Sequence, residues 1–202
     1  MQIRPVGHAD IKAIYEISLA TGDAGKDARS LHNFPNLIGE IYSAPYAILE
    51  PERAFVVEDK LGVAGFVLGT ADTRGFEAQL DRDWWPAVRR RCPEPDAGDS
   101  AQTEEDRRRL EKIHDYPPIP EWVVTDYPAH MHMNLLTRAR GQGVGRALFQ
   151  RFVSTLTSEE RRKLHIQTNK PNLGGIAFWK AMGFRPLDMT DGDHVWMGLV
   201  ET

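Results

Sequence analysis

Between Tyr127 and Leu156 the chain runs YPAHMHMNLLTRARGQGVGRALFQRFVSTL, a strand, a glycine loop and a helix in immediate succession. Ala129–Leu136 has the make-up of a buried or half-buried strand. From Val144 onward the apolar residues Val144, Leu148, Phe152 and Leu156 recur at helical spacing. Between strand and helix lies Arg140-Gly141-Gln142-Gly143-Val144-Gly145-Arg146. Glycines there remove side chains that would hold a ligand off the backbone, and a helix start leaves several N–H groups without partners. Such N–H groups, together with the positive end of the helix dipole, make an anion site suited to phosphate or pyrophosphate. Arg140 and Arg146 add formal charge beside it.

Spacing separates three kinds of phosphate loop. A Walker loop needs a Lys and then a hydroxyl after its last glycine, but Arg146 and Ala147 stand there, so no nucleotide hydrolase is indicated. A dinucleotide fingerprint would place Arg146 where a third glycine must let helix pack on strand. The loop instead resembles the R-x-x-G-x-G loop of the GNAT acetyltransferase superfamily, with Arg140, Gly143 and Gly145 at the fixed positions. Further on, LHIQTNKPNLGGIAFWKAMGF (Leu164–Phe184) gives a strand, a loop and a helix closed by Gly183, a good left-handed cap. It is similar to that superfamily's second stretch through Asn172, Phe178, Gly183 and Phe184, with Gly175 in place of the usual Ala.

The resemblance implies an α/β (α+β) fold. Its central sheet is mixed but mostly antiparallel, splayed between strands 4 and 5, with helices on both faces. It also implies acetyl-CoA (coenzyme A) as cofactor, with its pyrophosphate held by Arg140, Gly141, Gln142, Gly143, Val144, Gly145 and Arg146. Backbone N–H groups of Leu135 and Leu136 would stabilise the oxyanion and pair with the pantetheine, and Asn172, Phe178 and Trp179 would complete the cofactor site. The implied reaction is acetyl transfer by direct attack of an amine in a ternary complex. Where many members carry a Tyr that protonates sulfur, this chain has Trp179, which cannot give up a proton. An acetyl-CoA-binding module with little or no turnover is therefore the alternative.

For the general base the candidates are Asp126, His130 and His132, with His132 and Asp126 carried forward. Strand alternation puts His130, His132, Asn134 and Leu136 on one face and Met131, Met133 and Leu135 on the other, and a histidine suits proton relay near neutrality. The same H-x-H spacing could hold zinc with His194, although no metal is assigned.

Along the chain, Gln2–Arg4 reads as a strand, Ala9–Leu19 as a helix, Ala20–Arg29 as a polar loop and Pro35–Tyr42 as a helix. Ala54–Glu58 and Val63–Ala71 form a hairpin about Asp59-Lys60-Leu61-Gly62, and Gly65 and Gly69 in it hint at close packing or a bulge. Arg74–Cys92 is helical, with Pro86 a kink or a new start, and its Phe76, Trp84 and Trp85 belong to core or lid. Pro93–Ser100 is a polar loop, Ala101–His114 a helix started by Ser100, Tyr116–Pro120 extended. Arg185–Asp188 and His194–Leu199 are the last strands about a turn at Thr190–Asp193. The whole is expected to be one domain, 1–202, with an insertion at about 73–126.

That insertion, AFVVEDKLGVAGFVLGTADTRGF and YPAHMHMN are similar to the C-terminal acetyltransferase-like domain of O-GlcNAc hydrolases and its stand-alone bacterial relatives, over about Ile3 to Met197. Sugar cleavage belongs to a separate barrel in those proteins and is not implied here. Ala20–Tyr42 and Thr73–Asp126 are expected to line the acceptor cleft. The net charge of −4 argues against a nucleic-acid binder. The basic triplets at Arg89, Arg107 and Arg161 read as solvated helix faces, any of which could meet the coenzyme's 3′-phosphate. A lone Cys92 fits a reducing compartment, and no membrane-length apolar run occurs, so a cytoplasmic location is the expectation. The amine acceptor and the oligomeric state are not readable.

Overall fold

The computed structural model describes residues 1–187 and 192–200. Seven strands form one sheet: β1 (Gln2–Pro5), β2 (Phe55–Asp59), β3 (Gly62–Thr70), β4 (Ala129–Leu135), β5 (Leu164–Asn169), β6 (Phe184–Pro186) and β7 (His194–Leu199), in the order β1-β2-β3-β4-β5-β7-β6. Every neighbouring pair is antiparallel except β4 and β5, which run parallel and share only the registers Ala129↔Leu164 and His130↔His165 before diverging. The expected mixed sheet, splayed between strands 4 and 5, is therefore present.

Both glycines of β3 are packing positions. A Cβ on Gly69 would lie 2.2 Å from the His130 carbonyl oxygen and 2.7 Å from the Phe152 ring, and one on Gly65 would lie 2.4 Å from Leu135. A bulge also sits beside Gly65, where the β2–β3 register shifts between Val57 and Glu58.

On one face pack α1 (Ile11–Ala20), α2 (Leu37–Tyr42), α3 (Ala44–Leu49) and the insertion, closing a core around Ile14, Ile41, Phe66, Leu68, Phe76 and Trp85. The opposite face is covered by α8 (Val144–Val153) and α10 (Leu173–Ala181), which the short α9 (Ser158–Arg162) separates in sequence, over Val67, Met131, Leu148, Phe152, Ile166 and Met197. Val144, Leu148, Phe152 and Leu156 all face this second core, as their spacing predicts, although the helix ends at Val153 and Leu156 follows it.

The insertion comprises α4 (Thr73–Gln79), a π turn (Leu80–Trp84), α5 (Trp85–Arg91), α6 (Glu104–His114) and α7 (Glu121–Val124). The widened turn ends two residues before Pro86, whose ring and missing N–H the interior of an α-helix would not accommodate. Phe76, Leu80, Trp84, Trp85 and Val88 are all buried, so these aromatics belong to the core.

Several expected boundaries move. The helix drawn at Pro35–Tyr42 starts at Leu37, and α3 follows it unforeseen, starting at Ala44-Pro45 with proline in its first turn. The helix drawn from Ala101 starts at Glu104: its cap is Thr103, not Ser100, because Thr103 and Asp106 exchange side-chain and backbone hydrogen bonds as a capping box. The Arg185–Asp188 strand is observed at Phe184–Pro186, and Asp188 together with the first two residues of the Thr190–Asp193 turn lies outside the described residues. Among the described residues no helix is long and apolar enough to cross a membrane.

Candidate active site

At the C-terminal end of β4 the chain turns through Thr137–Ala139 into the glycine loop. Gly141 and Gly143 sit at φ +74° and +75°, a left-handed backbone that other residues adopt at a cost, and Gly143 caps α8. Gly145 has a different reason to be glycine: a Cβ there would lie 3.0 Å from the Phe178 ring. Among the described residues the first backbone bond of α8 is Ala147 N–H to Gly143 O, and the N–H groups of residues 141–146 find no backbone carbonyl. Around Gly141 and Gly143 a Cβ would meet nothing within 4 Å, so these amides border open space. This is an open, N–H-rich cradle at the positive end of a ten-residue helix, and it fits a diphosphate.

Arg140 does not supply free charge to that cradle. Its Nε donates to the Leu135 carbonyl at 2.9 Å and its Nη2 to the Gly25 carbonyl at 2.7 Å. The guanidinium thus pins the Ala20–Arg29 loop to the glycine loop. Asn134 adds a second tie, to Thr21 Oγ1 at 2.6 Å. Ala20–Arg29 therefore sits at the cofactor end and contributes nothing to the pocket described below. Gln142 folds back on the Arg138 carbonyl, while Arg146 is exposed. Asn172 caps α10, accepting the Gly175 N–H at 3.0 Å. A Cβ on Gly175 would lie 2.5 Å from that amide group, which accounts for glycine replacing alanine there. Phe178 walls the cradle beside Gly145, but Trp179 is only 8% exposed, its ring set among Phe149, Phe178 and Phe184. Of the two readings for Trp179, coenzyme wall or core, the geometry gives core.

The register of β3 with β4 decides which amides face the gap. Leu136 donates to the Ala64 carbonyl at 2.9 Å, so its N–H is engaged across β3 and the role expected of it falls away. Leu135, one residue offset, directs its N–H to the other edge, where β5 has already diverged.

The side-chain alternation of β4 is as expected, and it concentrates three histidines at the point of divergence. His130 Nδ1 lies 2.7 Å from Thr73 Oγ1, which itself donates to the Pro128 carbonyl, so the ring carries its proton on Nδ1. Its Nε2 then accepts from Tyr46 O–H at 2.7 Å. With that proton committed, Tyr46 accepts from His132 Nε2–H at 3.2 Å, leaving His132 with a lone pair on Nδ1. His165 Nδ1 donates to the Tyr127 carbonyl at 2.6 Å. Burial holds all three rings neutral, His130 well below the usual histidine range, His132 at about 3 and His165 at about 4, with Lys112 adding to the effect on His132.

A pocket of about 230 Å³ opens here. His130, His132 and His165 form its floor. Tyr42, Tyr46 and Lys112, the stretch Tyr116 to Pro120, and Gln167, His194 and Trp196 complete its lining. Tyr42 is the only part of Ala20–Tyr42 that reaches it, whereas the insertion supplies Lys112 and Tyr116 to Pro120. Asp126 is exposed and does not line it. No zinc set forms either: both His130 nitrogens are engaged, and among the described residues no three His, Cys, Asp or Glu could hold a metal ion. Tyr46, Thr73 and Lys112 were not foreseen. Tyr46 meets His130 across 84 residues of sequence, a pairing no local pattern encodes.

Comparison with known proteins agrees with this architecture. The acetyltransferase (GNAT) family profile matches residues 112–184. The crystal structure of SsHAT is 35% identical, covers 98% of this chain and 96% of its own, and superposes with a TM-score of 0.83. Protein O-GlcNAcase of Rattus norvegicus is 23% identical over 181 residues; the match covers 90% of this chain but only 20% of that protein, so the chain spans about a fifth of its relative's length. The structure of yncA from Salmonella typhimurium with its cofactor acetyl-CoA shares the fold at 16% identity and a TM-score of 0.53, covering 98% and 92% of the two chains. The chain belongs to the GNAT acetyltransferase family.

Proposed function

We propose that the chain is an acetyl-CoA-dependent N-acetyltransferase in which an amine attacks the acetyl group directly within a ternary complex. The observation that carries this reading is the gap between β4 and β5, with the N–H cradle of residues 141–146 at its open end and the histidine-floored pocket at its closed end. When bound, acetyl-CoA supplies an acetyl group activated as a thioester.

The chain's own residues have the remaining work. Amides of Val144, Gly145 and Arg146 would hold the diphosphate, and Arg140 keeps the loop in shape through Leu135 and Gly25. The Leu135 amide donates to oxygen where negative charge develops. His132 presents a neutral Nδ1 lone pair, fixed by the Tyr46 contact, that accepts a hydrogen bond from the incoming nitrogen. Trp179 offers no acid, so a coenzyme thiol of pKa near 8.5 would receive no proton from that position, and its release as thiolate would cost about 2 kcal/mol at neutral pH.

The core position of Trp179 also favours a second reading, a binding module with an intact cofactor cradle and slow or absent turnover. Calorimetry with acetyl-CoA, on the wild type and on Gly143→Val, tests the common ground: binding is expected for the first and a loss of roughly tenfold or more for the second. Release of free thiol against a panel of amines then separates enzyme from module. Absence of heat on adding acetyl-CoA to the wild type overturns both.

A further inference from the structure

The walls of the pocket restrict what can occupy it. Tyr42, Tyr116 and Trp196 with Pro117, Pro118 and Pro120 give this slot aromatic and apolar walls, chemistry that suits an aromatic ring. Its volume of about 230 Å³ exceeds the roughly 150 Å³ that suffices for a benzene.

Among the described residues, the charged side chains lining the slot have one sign. Among the described residues lining it there is no Asp or Glu, and Lys112 has no carboxylate partner: its Nζ rests 5.0 Å from the Tyr42 ring centre and 5.4 Å from that of Tyr116. Arg109 approaches the same Tyr42 ring at 5.9 Å. Glu77, behind Ile119, is already taken by the Ile119 N–H at 2.7 Å and by Arg74. The floor adds only neutral histidines. Among the described residues the slot thus offers an ammonium and no carboxylate to neutralise an incoming cation.

From this we infer that the acceptor is a weakly basic aromatic amine bearing a carboxylate, of the aminobenzoate type, its ring between Tyr42, Tyr116 and Trp196 and its carboxylate on Lys112. The inference rests on the proposed N-acetyltransferase reading for the reaction, but not for binding. An arylamine is neutral near pH 7 and needs no strong base, which suits a His132 whose Nε2–H is committed to Tyr46. An alkylammonium, such as a lysine side chain, would arrive charged opposite Lys112. In the transfer the N–C bond forms as the C–S bond of the thioester breaks, and the proton lost by nitrogen ends on sulfur as free thiol.

Calorimetry without cofactor reads the pocket alone, with 4-aminobenzoate, aniline and benzylamine as probes on the wild type, Lys112→Met and Lys112→Glu. Expected is binding of 4-aminobenzoate roughly 10- to 100-fold tighter than aniline, no binding of benzylamine, and collapse of the first difference in Lys112→Met. Lys112→Glu should favour benzylamine instead. Thiol release from acetyl-CoA should follow the same order of amines. Equal affinity for aniline and 4-aminobenzoate, or the same affinities in wild type and Lys112→Met, overturns the proposal. So does preferred turnover of benzylamine by a wild type that binds acetyl-CoA. Failure to bind acetyl-CoA sinks the transferase reading alone, since the cofactor-free arm still decides on the acceptor.

Discussion

Lowering the pH should unfold this protein through its buried histidines, and His165 gives the clearest magnitude. It is 1% exposed, donates Nδ1–H to Tyr127, and is held at about 4 by burial, against about 6.5 for a free histidine. Because the folded-state pKa is the depressed one, the unfolded chain takes up the proton first. Stability from this group is full above about pH 6.5, falls as pH drops, and is lost by about pH 4. The whole effect is about 3 kcal/mol, and about 2 kcal/mol of it has gone by about pH 5. His130 and His132 are shifted in the same direction, and although the three are coupled, their joint effect is a large part of a typical domain stability of about 5–15 kcal/mol. Urea unfolding followed by tryptophan fluorescence at pH values between about 7.5 and 5 measures it. His165→Asn keeps a donor for the Tyr127 carbonyl and cannot titrate, so its loss over that range should be smaller than the wild type's by about 2 kcal/mol. A wild-type stability that is flat across this range, or His165 ring resonances titrating near 6.5, would refute the reasoning.

Two further outcomes follow from the same contacts. Arg140→Ala removes the bonds to Leu135 and Gly25 and should weaken acetyl-CoA binding by roughly tenfold while barely moving the melting temperature, as calorimetry and thermal unfolding would show. Asp106 is fully buried. Burial alone would raise its carboxyl, but the Asn33 and Thr103 amides and His32 hold it below the usual range. Asp106→Ala should therefore cost about 3–5 kcal/mol in urea unfolding, with α6 and the 32–34 segment losing amide-exchange protection together.

The elements that were legible are those whose residues carry their own geometry. The stripe from Val144 to Phe152, the Gly183 cap and the Gly141/Gly143 turn are determined by contacts within a few residues. The alternation of β4 likewise divided its side chains correctly between two faces. What escaped depended on partners distant in sequence. Arg140 looks like a phosphate ligand in isolation, and becomes a brace only because Gly25 is brought beside it from 115 residues away. Trp179 looks like a substituted catalytic residue until Phe149 and Phe184 close over it. Thr103 outcompeted Ser100 as a cap because Asp106 stands three residues on from it and is itself fixed by His32.

The direction of a peptide amide lies deeper still, because residue identity says nothing about it. Leu135 and Leu136 are the same residue type on the same strand, and no sequence rule separates them. One hydrogen bond to Ala64 engages Leu136 and, through the alternation of the antiparallel ladder, aims Leu135 into the gap. The bulge at Val57/Glu58 stands beside Gly65, the residue paired with Leu135. A change that removed this bulge would shift β2 against β3 without altering any residue of the site. A one-residue slip of β3 against β4, in contrast, would exchange the roles of the two leucines, turning His132 away from Tyr46 and emptying the pocket floor of its histidines. Gly69 opposes that slip, since any side chain brought to its place would meet the His130 carbonyl at 2.2 Å. The small residues of β3, which bear no chemistry, therefore fix which amide and which ring nitrogen face the gap.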